Sequence, residues 1–137
     1  MVTKWYVPEV LGDKAVKLKK FIEEKARPVA VPRYFFIEIA NILWKKTSLT
    51  KELSRRDAQS IFFSIQDLPL YIIEDRELLL KAIELALDYS ISVYDALYLA
   101  AALDSRATLV TADSALAKRF AHSNMKKHVL SLADFDQ

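Results

Sequence analysis

Four short apolar runs, each bounded by proline, charge or turn residues, alternate along this chain with longer amphipathic segments. That alternation constrains the fold more than any other feature of the sequence. Val29-Ala30-Val31 lies between Pro28 and Pro32, Leu70 to Ile73 follows Pro69, Thr108 to Thr111 precedes Ala112-Asp113, and His128 to Leu130 follows two lysines. None of these runs alternates polar with apolar residues, as a strand with one wet face would, so the strands are expected to be covered on both sides. Helices between fully buried strands imply an α/β fold built on a short parallel sheet. With 137 residues, 53% of them hydrophobic, one domain spanning 1–137 is expected.

The helical segments have legible limits. Lys14 to Ala26 places Val16, Leu18, Phe21 and Ile22 among lysines and glutamates, which suits an amphipathic helix. Tyr34 to Lys46 is apolar around most of its circumference and is expected to be buried on more than one side. Thr50 reads as the N-cap of a helix running to about Gln66, and a further helix spans about Asp75 to Tyr89. Ser92 opens another that runs through about Asp104, and Asp113 opens one that ends near Phe120. Trp44, Phe35, Phe36, Phe62 and Phe63 are read as core, although they are also compatible with a groove that takes an amphipathic peptide.

Composition narrows the chemistry. There is no cysteine and only His122 and His128, which removes disulfides and leaves almost no ligands for a structural zinc site. Any metal must therefore be held by oxygen. Twenty Lys+Arg against eighteen Asp+Glu permits a polyanionic partner without indicating one. No run approaches the roughly 20 apolar residues of a membrane span, and no export signal is visible, so the expected location is the cytoplasm.

Three acids stand where local logic does not demand them. Glu38 shares a helical stripe with Tyr34, Asn41 and Lys45, and that stripe either faces water or lines a cleft. Asp95 stands in Ser92-Val-Tyr-Asp95, which equally reads as a capping box ahead of an apolar helix. Asp113 follows a strand directly and equally reads as an N-cap. Together, however, the three lie near the carboxyl ends of strands, where ligands gather in open α/β sheets. Carboxylates brought together repel one another unless a cation neutralises them, and Mg²⁺ or Mn²⁺ with oxygen ligands does so. Such an ion also supports hydrolysis of a phosphodiester.

At these residues the chain resembles the PIN-domain ribonucleases, and among them the VapC-like toxins of type II toxin–antitoxin pairs. The segments that carry the resemblance are Lys4-Trp-Tyr-Val-Pro-Glu9, Pro32 to Asn41, Ser92-Val-Tyr-Asp-Ala-Leu-Tyr-Leu-Ala100 and Leu109-Val-Thr-Ala-Asp113-Ser-Ala-Leu116. The resemblance implies a three-layer α/β/α sandwich, a Mg²⁺- or Mn²⁺-dependent endoribonuclease site, a homodimer, and a small antitoxin protein as partner. It places Glu38, Asp95 and Asp113 at acidic catalytic and metal positions, with Asn41 and Thr111 as supporting polar groups. Arg33, between a strand end and the helix that bears Glu38, is the best-placed contact for RNA phosphate.

The chain departs from this pattern at one point. The family begins with a short central strand ending in an aspartate, and Met1-Val2-Thr3 leaves no room for it ahead of Lys4-Trp5. Two expectations follow. Either the natural frame starts upstream and carries a fourth acid, or three acids hold the ion weakly and the chain is a catalytically weak or inactive binding module.

Overall fold

The computed structural model describes Lys4 and residues 9–136. Residues 1–3, where the sequence leaves no room for the additional strand and acid implied by the resemblance, lie outside the described ones.

The elements follow the expected alternation, with shifted ends. Helix α1 spans Gly12–Glu24, strand β1 Val29–Pro32, α2 Tyr34–Ser48, α3 Arg55–Gln66, β2 Leu70–Ile73 and α4 Asp75–Tyr89. Helix α5 covers Val93–Asp104, β3 Leu109–Thr111, α6 Ser114–Phe120 and β4 Val129–Ser131. Short 3-10 turns occupy Lys126–His128 and Leu132–Asp134. Three expectations need correction. Helix α2 buries only the Phe35, Ile39 and Leu43 stripe, so it is not covered on more than one side, and Trp44 and Phe63, read as core, are exposed. Thr50 does not cap α3, because its hydroxyl bonds back to the Lys46 carbonyl at the end of α2 and Lys51 then turns with φ 57°. Ser54 caps α3 instead, in a full capping box with Asp57. His128 closes a 3-10 turn, so the last strand starts one residue later than expected.

Among the described residues the strands form two parallel pairs, β1 with β2 and β3 with β4. In the first pair Val29 lies opposite Leu70 and Pro32 opposite Ile73; in the second Leu109 lies opposite Val129. Pro32 is tolerated because it ends its strand, where a missing N–H interrupts no further pairing. The next amide, Arg33 N–H, takes over and donates to the Ile73 carbonyl at 2.9 Å.

Successive strand residues point to opposite faces, and the core is divided accordingly. One apolar cluster is shared by both pairs. Ala30 of β1, Leu109 of β3 and Val129 of β4 pack on it together with Leu78, Ala82 and Leu85 of α4, Ala96, Leu97, Leu99, Ala100 and Ala101 of α5, and Leu116 and Phe120 of α6. On the opposite face each pair has its own cluster. Val29, Val31 and Leu70 pack with Phe35, Ile39 and Leu43 of α2 and Ile65 of α3. Val110 and Leu130 pack with Ala15 and Leu18 of α1 and with Leu132 and Phe135 near the C-terminus. Helices α4, α5 and α6 thus form one layer and α1, α2 and α3 the other, giving a three-layer α/β/α arrangement.

The single glycine, Gly12, has an ordinary φ, so the tight turns are made by other residues. Leu11, Ala26, Lys51, Ser90 and Arg106 all have φ between 47° and 64°, a conformation that costs an L-residue roughly 1 kcal/mol. Ser90 in this state ends α4 by donating its N–H to the Ala86 carbonyl.

A chain of half-buried charges ties the N-terminal region to α2. Lys4 Nζ lies 2.7 Å from Glu9, which lies 2.9 Å from Lys46, which in turn lies 2.8 Å from Glu52. Burial alone raises the Glu9 pKa, but the hydrogen bonds and charges of the two lysines outweigh it and hold the carboxyl below its usual 4.5. A depressed folded-state pKa stabilises the fold above the unfolded value, and that contribution disappears as pH falls through the folded one. Glu9→Gln is therefore expected to melt at a lower temperature than the native chain at pH 7. Melting curves recorded at decreasing pH should show this deficit closing below about pH 4.5.

Candidate active site

The carboxyl ends of β1 and β2 deliver the chain into α2 and α4, and the site is built where these helix starts meet α5. Helix α2 has no cap from its own N-cap residue, Arg33. Its first amide is satisfied from a distance in sequence: the Tyr34 N–H donates to Asp75 Oδ1 at 3.0 Å. Asp75, in the first turn of α4, thereby fixes where α2 begins. Arg33 donates Nε–H to Glu74 Oε2 at 2.8 Å and is ion-paired with it. The residue expected to meet RNA phosphate thus already has an anionic partner.

Glu38 lies one turn along α2 from Tyr34. Its Oε2 accepts a hydrogen bond from the Tyr98 hydroxyl of α5. The Tyr34 ring stacks on Tyr94 of α5, with centroids 5.1 Å apart and planes at 26°. Asp95 and Tyr98 are spaced i, i+3 on α5, as Tyr34 and Glu38 are spaced i, i+4 on α2, so each helix presents an acid and a phenol at one crossing.

The phenols report this electrostatic environment. Burial first, then the hydrogen bond and charge of Glu38, drive the Tyr98 pKa far above its usual range. Tyr98 remains a hydrogen-bond donor under all ordinary conditions. The Tyr34 pKa is also raised, by burial first and then by Glu38, Tyr94 and Asp95. Glu38, bonded to Tyr98, and Asp95, next to the Tyr94 ring that stacks on Tyr34, thus lie on the facing parts of α2 and α5.

Asp95 also serves the start of α5. The Ser92 hydroxyl accepts from the Asp95 N–H at 3.1 Å and donates to Asp95 Oδ2 at 2.7 Å. Capping and site membership are thus both present in one residue. Asp113 caps α6, with Oδ1 accepting from the N–H groups of Ala115 at 2.8 Å and Leu116 at 3.0 Å. Thr111 supports that turn, its hydroxyl accepting from the Asp113 N–H at 3.1 Å. Asn41 is exposed, one turn beyond Glu38.

The structure brings Glu38 and Asp95 together at the α2–α5 crossing and leaves Asp113 and Thr111 at the end of β3, in the other strand pair. No group of three or more His, Cys, Asp or Glu side chains among the described residues converges as a metal cage. The donor chemistry is nonetheless that of a hard cation. Glu38, Asp95 and Asp113 each use one carboxylate oxygen in the bonds above, and the other has no hydrogen bond among the described residues. The donor chemistry of Glu38 and Asp95 thus fits Mg²⁺ or Mn²⁺, while Asp113 is not grouped with them among the described residues.

A model of the PIN domain family matches residues 9–121. This chain belongs to the PIN domain family. No match is found among curated proteins. PIN domains are three-layer α/β/α folds, generally nucleases, and generally use divalent metals. The layering described above agrees with that architecture. Among the described residues no helix is long and apolar enough to cross a membrane.

Sequence reasoning missed Tyr98, Tyr94 and Asp75 as parts of this PIN domain site. The i, i+3 spacing of Asp95 and Tyr98 was an available signal for the first. Asp75 carried no local signal, since it acts on an amide 41 positions earlier.

The cap at Asp113 can be separated from any ligand role. Asp113→Ala should lower stability by about 1 kcal/mol, whereas Asp113→Asn should cost only a few tenths, because Asn is an equally good N-cap. Urea denaturation of both variants checks this, and equal losses would show that the carboxylate charge, not the cap, supports the fold.

Proposed function

We propose that this PIN domain is a Mg²⁺- or Mn²⁺-dependent endoribonuclease, the toxin of a type II toxin–antitoxin pair, held in check by a small antitoxin and acting as a homodimer. The observation that carries the nuclease reading is the α2–α5 crossing, where Glu38 is held by Tyr98, Asp95 adjoins the stacked Tyr34–Tyr94 pair, and each acid keeps a free oxygen. An all-oxygen donor set selects a hard cation. When bound, a divalent ion offsets charge on the scissile phosphate and assists attack by water. Glu38 and Asp95 would hold it, with Asp113 as the third ligand.

The chain's own residues prepare these acids. Tyr98 fixes the Glu38 carboxylate by donating to Oε2, so Oε1 is the oxygen left for a ligand. The Ser92 hydroxyl does the same for Asp95 through Oδ2. Tyr34 and Tyr94, stacked, form an aromatic wall beside the acids, and such a wall suits an unpaired base better than a duplex. RNA is accordingly proposed as the substrate. Arg33 would contribute to phosphate binding by exchanging Glu74 for the backbone anion.

A second reading, a catalytically weak or inactive binding module, is favoured by one observation: no three acids converge among the described residues. The two readings separate experimentally. In a cleavage assay on a mixed RNA pool with Mn²⁺ or Mg²⁺, Asp95→Asn should reduce the rate by about 100-fold or more, since a ligand carboxylate is lost. Its melting temperature without metal should stay close to that of the native chain, because Asn still accepts from Ser92. Undiminished cleavage by Asp95→Asn removes Asp95 from the site. Absence of cleavage by the native chain, together with no rise in melting temperature on adding millimolar Mn²⁺, supports the binding module.

A further inference from the structure

Between Asp113 and Asp134 the chain contains no acid, yet it carries Lys118, Arg119, Lys126 and Lys127. The fold gathers these cations. Lys118 and Arg119 lie in the last turn of α6. Beyond it the Ser123 N–H donates to the Phe120 carbonyl at 3.0 Å and the Lys126 N–H to the Ser123 carbonyl at 3.2 Å, which keeps Lys126 and Lys127 close to the end of that helix. Arg106 joins them from the turn between α5 and β3. Leu109 pairs in parallel with Val129, so Arg106 and Lys126 stand at the same distance ahead of neighbouring strands, and the 3-10 turn at Lys126–His128 packs on α5. All five side chains are exposed, and among the described residues none has an ion pair. The α6 dipole accounts for Lys118 and Arg119 as counter-charges, but not for Lys126 and Lys127, which precede a strand. We infer that Arg106, Lys118, Arg119, Lys126 and Lys127, at the amino ends of β3 and β4, form a second contact for the RNA backbone and hold the strand that flanks the cleaved bond.

The surface lies at the other end of α5 from the acids. Asp95 stands in the first turn of that helix and Arg106 just past its last residue, Asp104. Twelve helical residues span about 18 Å, which a stacked strand rising about 3.4 Å per nucleotide covers in about five nucleotides. Two features select a nucleic acid as the occupant. The cations come from three separate segments, an arrangement that suits a row of phosphates. From Asp95 onward no large apolar side chain is exposed among the described residues, so the surface lacks the anchors with which a protein enters a membrane. Asp104 closes α5 on this side, and the Tyr89 hydroxyl, donating to Asn124 at 2.8 Å, brings the end of α4 with Asp88 near it, two carboxylates against five cations. The inference rests on RNA as the substrate proposed above, and extends its binding to a surface away from Glu38 and Asp95.

Binding measured without metal tests this independently of cleavage. A fluorescein-labelled single-stranded RNA of about 20 nucleotides is titrated with the full chain at several salt concentrations and followed by anisotropy. Combining Arg119→Gln, Lys126→Gln and Lys127→Gln should weaken binding by about tenfold or more at low salt and reduce the slope of log affinity against log salt by about 2, with far-UV circular dichroism retained. Combining Lys17→Gln, Lys51→Gln and Lys81→Gln removes the same charge elsewhere and should change affinity by less than about twofold. Equal losses in the two triple variants would reduce the effect to net charge and overturn the proposal. So would an unchanged affinity and slope in the first variant, or a native chain that binds no RNA. Binding of poly-glutamate or of phosphatidylserine vesicles that the first variant loses while it keeps RNA binding would also overturn it, and would give the surface to an acidic protein or a membrane. Cleavage of the same RNA with Mn²⁺, lost or kept in Asp95→Asn, reports separately on the nuclease reading.

Discussion

Helix α5 is the part on which the rest of this structure depends. It is the densest part of the shared cluster, and it reaches from Ala30 of β1 to Leu109 of β3 across two strand pairs that are not hydrogen-bonded to one another among the described residues. Its alanines make this possible. Ala96, Ala100 and Ala101 are almost fully buried, and their small side chains let the helix lie close on the strands and on α4, while Leu97 and Leu99 fill the space between. A leucine as deep as Leu99 contributes to stability on the scale of 2–5 kcal/mol by comparison with alanine. The same helix carries Asp95, Tyr94 and Tyr98 on its outer turns, so packing and site geometry are set by one element.

The site follows from that placement. Once α5 is fixed on β1, Tyr98 meets Glu38 and Tyr94 meets Tyr34, because α2 starts where β1 ends. The start of α2 is held in turn by Asp75 at the start of α4. Each acid of interest is restrained by a neutral hydroxyl or by backbone amides and, among the described residues, by no lysine or arginine. Pairing with a fixed cation would have neutralised these carboxylates permanently. Restraint by hydroxyls orients them and leaves their charge available, which is the arrangement a cation-binding site requires.

Much of this was legible in the sequence, because apolar runs bounded by Pro28, Pro32 and Pro69 leave few alternatives to buried strands. The helices were equally clear, and Ser92 and Asp113 cap where their residue types say they should. The errors were local competitions. Thr50 and Ser54 both offered a cap, and Ser54 won because Asp57 stands at the position that completes the box. The division of the strands into two pairs was not readable, since strand order depends on contacts far apart in sequence. Nor was the contribution of Asp75, or the pairing of Arg33 with Glu74. Local reading also treated capping and function as alternatives for Asp95, whereas its two oxygens allow both.

The central claim is that Glu38 and Asp95, brought together where α2 crosses α5, bind a divalent cation in this PIN domain. Anomalous diffraction from crystals grown with Mn²⁺ tests it most directly. The expected result is a manganese peak within about 2.0–2.3 Å of an oxygen of each carboxylate. Manganese bound only elsewhere, with Glu38 still held by Tyr98 and no peak at either acid under saturating metal, would contradict it.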